Sequence, residues 1–349
     1  MRIAQVAPLI ESVPPALYGG TERVVAYLTD ALVELGHRVT LFASGDSKTR
    51  AELVPIVPRS LRLDRQVHDY LPYACIQVDR VMRQAHEFDI VHFHVDLVHY
   101  VCAQPIMSRM LTTLHGRLDL PDLQPFYRHF PDFALVSISD AQRAPMPPVN
   151  WLATVQHGIP PDLLRFAPEA GKYFAFLGRL SREKRPDRAI RIAEATGVPL
   201  KIAAKVDRAD RDYFDSEIKP LLESPLVEWI GEINDSDKSA FLGGACALLF
   251  PVDWPEPFGL VMIEAMACGT PVIAFRCGSV PEIVEQGITG FIVDDMQEAV
   301  DAARRVGALN RAQIRRRFEE RFTSERMARD YTAVYESVLS GAQPRLAAE

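Results

Sequence analysis

The chain alternates short, nearly continuous apolar runs with segments of helical apolar spacing, and it does so twice. "RIAQVAP", "HRVTLFAS", "DIVHFHV", "MLTTLH", "FALVSIS" and "NWLATVQHG" form a first series of strand-like runs. "YFAFLG", "PLKIAAK", "LVEWIG", "CALLFP", "PVIAF" and "GFIV" form a second, starting near Tyr173. Runs this rich in β-branched residues suit a parallel sheet covered on both faces by helices. The intervening segments supply the helices. In "TERVVAYLTDALVEL", Val24, Val25, Leu28, Ala31, Leu32 and Leu35 recur at helical spacing, and Gly36 provides a stop. "PDRAIRIAEATG" places Pro186 in a first turn and Gly197 at the end, and "SDKSAFLGGA" reads as a further helix. The expectation is an α/β chain of two doubly wound, Rossmann-like lobes, joined near Ile159–Gly171 and facing each other across a cleft. The lobes are expected over residues 1–165 and 166–325, with a terminal helix over 326–349 that packs back on the first. Open sheets of this kind bind ligands outside the carboxyl ends of their strands.

A length of 349 residues fits two domains. The net charge of -7 argues against a nucleic-acid partner, which usually selects a basic surface. Cys75, Cys102, Cys246, Cys268 and Cys277 form no CxxC pair and read as free thiols of a reducing compartment. The opening "MRIAQVAPLIESVPP" is too short and weakly flanked for a signal peptide, and no run approaches the roughly 18 apolar residues of a membrane helix. A cytoplasmic protein is expected. A helical tail from Gln297 to about Leu339 contains "RRVGALNRAQIRRRFEERF". This reads as a solvated helix face; a basic stripe making peripheral membrane contact is the alternative. The sequence has no GxGxxG, GxxxxGK[ST] or GxSxG, the fingerprints of dehydrogenases, P-loop proteins and α/β-hydrolases.

The most informative stretch is "PEPFGLVMIEAMACGTPVIAF". A helix starting near Phe258–Gly259 would present the N–H groups of Gly259, Leu260 and Val261 as an anion site suited to a diphosphate. Gly259 has no side chain to block that approach. Glu264, further along the helix, is placed to accept from a ribose diol, and Glu256, ahead of it, from a sugar hydroxyl. A buried helix with capping glutamates is the plainer alternative. Trp254 stacks on a sugar ring or fills core; the residues do not decide between the two. In "HFHVDLVH", His92, His94 and Asp96 alternate along a strand as metal ligands can. Hydrogen-bonded buried histidine under a helix, or an acceptor-side position for His94, is the commoner use, and no metal is expected.

The pair Glu256 and Glu264, with "FGL" after the first and "EAMACGTPVIA" after the second, resembles the donor-site signature of the family 4 retaining glycosyltransferases, which have the GT-B fold. The resemblance spans about Arg2 to Phe322. It implies that Glu264 holds the nucleotide ribose, that Glu256 contacts the donor sugar, and that Phe258 and the Gly259–Val261 backbone meet the distal phosphate. "FLGRLSREKRPDRAI" resembles the family's diphosphate clamp, which falls on Arg179 and Lys184; Ile233 is placed with the donor on the same ground. "LYGGTERVV" resembles the glycine loop, so Gly19 and Gly20 would approach the donor phosphate or the acceptor. "TTLHGR" puts His115 near the transferred sugar, and "VSISDAQR" adds Ser139 on the acceptor side. Departures are Ser279, where a second glycine is common, and His157 and Pro160, where Asn and Asp are usual; neither is read as touching the diphosphate site. The implied reaction moves a hexose from a nucleoside-diphosphate sugar to a hydroxyl acceptor, with retention and no metal. UDP-glucose is the first choice of donor and GDP-mannose the second. Alternatives are a glucan or sugar-phosphate synthase of the same fold, or a nucleotide-sugar binding protein without turnover. The acceptor is undefined, because its loops, between Ala43 and Tyr73 and between Gly116 and Phe130, show no diagnostic pattern; the oligomeric state is undefined too.

Overall fold

A computed structural model describes residues 1–16 and 19–341. They divide into two compact units, one of Met1–Gly158 with the chain from Ser324 onward, the other of Ile159–Thr323. Both boundaries fall earlier than the expected 165/166 and 325/326. The reason is local: Ile159 already donates its N–H to Phe322 O (3.0 Å) and bridges to Thr323, so the chain enters and leaves the second unit side by side.

In the first unit, β1 (Arg2–Val6), β2 (Arg38–Ser44), β3 (Glu52–Val57), β4 (Ile90–Phe93), β5 (Met110–Thr113), β6 (Leu135–Ser137) and β7 (Trp151–Thr154) form one parallel sheet. Its order is β3-β2-β1-β4-β5-β6-β7. The chain therefore winds outward one way from β1 and then the other way from β4, and the gap beyond their carboxyl ends is the switch point. Helix Gly20–Glu34 buries Val24, Val25, Leu28, Ala31 and Leu32, the stripe its spacing predicts. Helix Ser324–Ser340 belongs to this unit, packs beside Gly20–Glu34, and buries Met327, Tyr331, Val334 and Tyr335. Several elements of this unit were not read from the sequence, β3 and helix Leu71–Gln84 among them. β3 is an edge strand interrupted by Pro55, which an edge tolerates because the missing N–H is not needed by a neighbour. Helix Leu71–Gln84 buries only Gln77, Val78 and Val81, a stripe too narrow to announce itself. Leu17 and Tyr18 of the glycine loop and residues 342–349 of the expected terminal helix lie outside the described residues.

In the second unit, β8 (Phe174–Arg179), β9 (Leu200–Lys205), β10 (Val227–Gly231), β11 (Ala247–Phe250), β12 (Val272–Phe275) and β13 (Gly290–Val293) form a parallel sheet in the order β10-β9-β8-β11-β12-β13. Its switch point lies between β8 and β11. The core beneath it is built from Phe174, Phe176, Ile190, Ile202, Leu249 and Ile273. All five cysteines are free thiols. Among the described residues no helix is long and apolar enough to cross a membrane.

The arginine-rich segment behaves differently from a solvated face. Arg311, 8% exposed, donates to Ala167 O (2.7 Å), Gly243 O (2.8 Å), Ala245 O (3.0 Å) and Thr270 Oγ1 (2.8 Å). Arg315 donates to Pro161 O (2.7 Å), Leu164 O (3.2 Å) and Ala267 O (2.6 Å). Arg321 donates to Glu282 O (2.7 Å) and pairs with Glu285 (2.9 Å). These cations tie helix Arg311–Arg321 to backbone carbonyls of the same unit that would otherwise lack donors. Replacing Arg311 by Met strands three carbonyls in a place water does not reach. We expect Arg311→Met to lower unfolding free energy by about 3 kcal/mol, read from urea denaturation, with Arg316→Met as the exposed control near zero.

Candidate functional site

In the second unit the residues singled out from the sequence gather at the β8/β11 switch point. Arg179 ends β8, Lys184 follows one turn on, and the loop after β11 supplies Trp254 and Glu256. Lys184 Nζ is bonded to Glu256 Oε2, and Trp254 Nε1–H donates to the same oxygen at 3.1 Å. The ammonium also lies 5.1 Å from the Trp254 ring centre and 5.8 Å from that of Phe250. Trp254 thus orients Glu256 and Lys184, a use that neither sugar stacking nor core filling anticipates. The side chains of Lys184 and Glu256 are 17% and 11% exposed. Two loops are pinned together to make this pair. Asp253 N–H donates to Glu183 O (2.9 Å), and Arg185 spans Asp187 (2.9 Å) and Asp253 (2.6 Å). Arg185 holds a left-handed backbone, φ 50, which costs a non-glycine residue on the order of 1 kcal/mol or more and is stabilised by those two carboxylates. Arg179 is surrounded by Asp207 (3.4 Å), Glu183 (3.5 Å) and Asp210 (3.6 Å).

Helix Leu260–Ala267 starts as expected. Gly259 caps it at φ 80, and a Cβ there would meet Met262 Cε at 2.8 Å and Phe250 Cζ at 2.9 Å, so only glycine fits. From Met262 onward the helix is buried, while Gly259, Leu260 and Val261 are partly exposed, which leaves the amide-bearing tip as the accessible part. Phe258 as a whole is 2% exposed and packs edge-on to Phe322 at 6.3 Å, so it supports the site from the core and is not itself open to a ligand. Gly278 lets the next loop press on this one: a Cβ there would lie 2.3 Å from Glu256 O and 2.5 Å from Glu256 N. Ser279 N–H donates to Glu256 O (3.0 Å), and its hydroxyl to Phe258 O (2.8 Å). Ser279 was read as standing apart from this site; it braces the backbone that forms it. Glu264, 4% exposed, is bonded by Lys238 Nζ at 2.7 Å, and Lys238 reaches Asp235 at 3.1 Å. Sequence reasoning missed Lys238, whose only signal was a lone cation on helix Asp235–Gly243. Ile233 is half-buried in the turn ahead of that helix.

In the first unit, a pocket of about 250 Å³ lies at the β1/β4 switch point, and His94, Asp96 and His115 are on its wall. Behind it runs a chain of buried hydrogen bonds whose polarity can be followed. Gln5 Nε2–H donates to Tyr335 Oη (2.9 Å), so that hydroxyl donates onward to His92 Nδ1 (2.8 Å). His92 Nε2–H then donates to Thr113 Oγ1 (2.7 Å), which meets Tyr331 Oη at 2.8 Å. At its other end Gln5 Oε1 accepts from His94 Nε2–H (2.6 Å), leaving His94 Nδ1 to accept from His115 Nε2–H (2.8 Å). His115 Nδ1 is left with a lone pair and no hydrogen-bond partner among the described residues. His157, a departure from the family pattern, stacks on His115 at 5.3 Å. Loss of hydration holds the imidazoles of His92, His94 and His157 well below 6.5, with the neighbouring rings adding to the effect, and brings His115 down to about 3. His99, 0% exposed, is likewise held at about 3 by burial. The "HFHVD" alternation is thus a hydrogen-bonded pair under the terminal helix plus a pocket residue. Gly19 precedes helix Gly20–Glu34 and packs on Pro15, where a Cβ would meet Pro15 Cβ at 2.9 Å; Gly20 opens the helix. Ser139 is buried and caps a short helix by accepting from Gln142 N–H (3.1 Å), which keeps it off the pocket wall.

A pair of parallel doubly wound sheets, with a glutamate-flanked helix tip on one and a histidine-walled pocket on the other, is the pattern of a glycosyltransferase. Residues 165–323 match the family described as glycosyl transferases group 1, and residues 18–146 match glycosyltransferase family 4. The chain belongs to the family 4 glycosyltransferases and has the GT-B fold. It is 24% identical to N-acetyl-alpha-D-glucosaminyl L-malate synthase of Bacillus anthracis, over 92% of this chain and 94% of that one. It is 26% identical to the phosphatidyl-myo-inositol mannosyltransferase of Mycobacterium leprae, over 91% and 90%. Among solved structures, AviGT4, a glycosyltransferase involved in avilamycin A biosynthesis, matches with TM-score 0.75 and 25% identity, covering 99% of both chains. Anabaena HepE in complex with UDP and glucose matches with TM-score 0.74 and 19% identity, covering 97% of this chain and all of that one.

The buried chain makes two predictions. Tyr335→Phe leaves Gln5 Nε2 and His92 Nδ1 without their shared hydroxyl, and should cost about 1–3 kcal/mol in denaturant unfolding. The buried histidines are neutral when folded, whereas the unfolded chain binds protons below about pH 6.5. Stability is therefore fully present above about pH 6.5 and falls as the pH drops from there toward 3. The fall is about 1.4 kcal/mol per pH unit for each such histidine. Urea melts at about pH 7 and about pH 5 should show this fall, and His99→Gln should reduce the slope by one proton.

Proposed function

We propose that this glycosyltransferase moves a hexose from a nucleoside-diphosphate sugar to a hydroxyl acceptor, with retention of configuration and without a metal. The observation that supports this most is the grouping at the β8/β11 switch point: a partly exposed helix tip beside a buried Lys184–Glu256 pair and the Arg179 guanidinium. In this reading the Gly259–Val261 amides hold the distal phosphate, Glu264 accepts from the ribose diol, and Glu256 accepts from a donor-sugar hydroxyl. Lysine carries three protons, so Lys184 can keep its bond to Glu256 and still donate to a phosphate. As the bond between the sugar C1 and the diphosphate oxygen breaks, charge builds on the leaving group. Fixed cations aimed at it lower the transition state more than the ground state. The acceptor oxygen forms its bond to C1 on the face the diphosphate leaves, and its proton passes to the leaving phosphate. UDP-glucose is the preferred donor, a choice supported by the UDP-glucose complex of HepE; GDP-mannose, in keeping with the mannosyltransferase relatives, is the second. The first unit's pocket receives the acceptor, with His94 and His115 on its wall.

Calorimetric titration with UDP and GDP tests the donor half. Lys184→Ala should weaken binding of the preferred diphosphate about tenfold or more, and equal binding by variant and wild type would remove the clamp assignment. Proton NMR of the first product should show the donor's own anomeric configuration, and activity should survive chelator; an inverted product would overturn the reading.

A further inference from the structure

The first unit's pocket has a chemical bias that narrows its ligand. Resting on the reading of that pocket as the acceptor site, we propose that the acceptor is an uncharged, polyhydroxylated ring, and that Asp96 selects it against phosphorylated and carboxylate compounds.

The bias comes from which groups on the wall can still donate a proton. Three lining side chains have N–H groups: Gln77, His94 and His115. Gln77 Nε2 gives its protons to Ala7 O (2.8 Å) and Phe42 O (3.3 Å). His94 Nε2–H is spent on Gln5, and His115 Nε2–H on His94. Burial keeps both imidazoles neutral, so neither offers a positive charge. The lining contains no lysine or arginine. The cations nearest in sequence are already paired: Arg62, beside Leu61, pairs with Glu11 (3.0 Å), and Arg117, beside Gly116, is held at Nε and Nη2 by Asp119 (2.7 and 2.8 Å). The amino end of helix Gly20–Glu34, which brings Thr21 to the pocket, has Glu22 in its first turn, which offsets the helix dipole.

Apart from the hydroxyls of Thr21 and Tyr70, which can either donate or accept, what remains on the wall accepts. Asp96 is the one carboxylate in the lining, desolvation raises its pKa above the ordinary carboxylate value, and it has no hydrogen-bond or ion-pair partner for that carboxylate among the described residues. Gln77 has its amide oxygen left to offer. The pocket therefore favours a ligand that donates, as vicinal hydroxyls do, and an anion beside Asp96 would meet repulsion with no compensating cation in the lining. The apolar part of the lining comes from Ile10, Leu61, Ala74 and the ring of Tyr70, which is 43% exposed. An apolar face against an aromatic ring, with hydroxyls on the other edge, describes a sugar or cyclitol. A volume of about 250 Å³ is below the roughly 300–1,000 Å³ of pockets for drug-sized ligands, which suits one ring.

The test is ligand-observed NMR on the full chain with D-glucose, D-mannose and myo-inositol, each beside its monophosphate, and with L-malate. At least one neutral compound should bind about tenfold or more tightly than its phosphate, and malate should not compete. Asp96→Asn and Asp96→Ser should each lose about tenfold in affinity for the neutral ligand with circular dichroism unchanged. Asp96→Lys should shift the preference toward the phosphates. The inference falls if the phosphates or malate bind as well as the neutral compounds, if none of the neutral compounds binds, or if both Asp96 variants bind like wild type. Hydrolysis of UDP-glucose and GDP-mannose by the wild type without acceptor reports separately on the transferase reading. If it persists while the neutral ligands fail, only the acceptor class is wrong.

Discussion

The bond between Lys184 and Glu256 joins the loop after β8 to the loop after β11, and the donor site as proposed depends on that closure. A pair this enclosed gains little in net stability, because desolvating two charges offsets most of their attraction. Its value is positional. The Trp254 N–H, the Asp253–Glu183 backbone bond, and the left-handed Arg185 all restrict the same few atoms. Gly278 then allows a third loop to lie against the Glu256 backbone, with Ser279 bonded to two of its carbonyls. In the proposed reading a diphosphate meets a cation that is already oriented, so little reorganisation accompanies the development of charge.

The first unit achieves its order by neutral means. Gln5 lies in the part of β1 that is buried, Ile3 to Val6, and uses both ends of its amide, one toward Tyr335 and one toward His94. Because an amide has one donating and one accepting end, it sets the direction of every hydrogen bond that follows. The histidines nearest the pocket consequently have fixed tautomers and no charge. The two proposed sites thus differ in character: cations and a helix tip in one, neutral histidines and a carboxylate in the other.

The strands at the centre of each sheet were legible because both faces are buried and the apolar runs are unbroken, as in "RIAQV" and "CALLF". The helix at Leu260 was legible because Gly259 and the flanking glutamates mark its start. Elements that compromise with solvent were not. β3 tolerates Pro55 at an edge, and helix Leu71–Gln84 shows a thin apolar stripe. The site residues that escaped notice are partners rather than principals. Lys238 looks like any surface cation until Glu264 is seen beside it. Gln5 did leave a trace, as a single polar residue inside an apolar strand. Tyr335 left none, since its 330-residue separation from Gln5 is not visible in any local window. Arg311, Arg315 and Arg321 were misread because a run of like charge does not say whether its targets are water or the chain's own carbonyls.

The return of helix Ser324–Ser340 to the first unit has an effect on the order in which the protein can be made. During translation the ribosome delivers β1 through β7 first, then the whole second unit, and only then Tyr331 and Tyr335. The second unit, contiguous in sequence, can complete itself as soon as it emerges. The earlier-synthesised half must wait with Gln5, His92 and Thr113 lacking their hydroxyl partners until the last helix arrives. The nascent chain therefore finishes its later half before its earlier one, and a premature stop codon a few dozen residues from the end would damage the part made at the start.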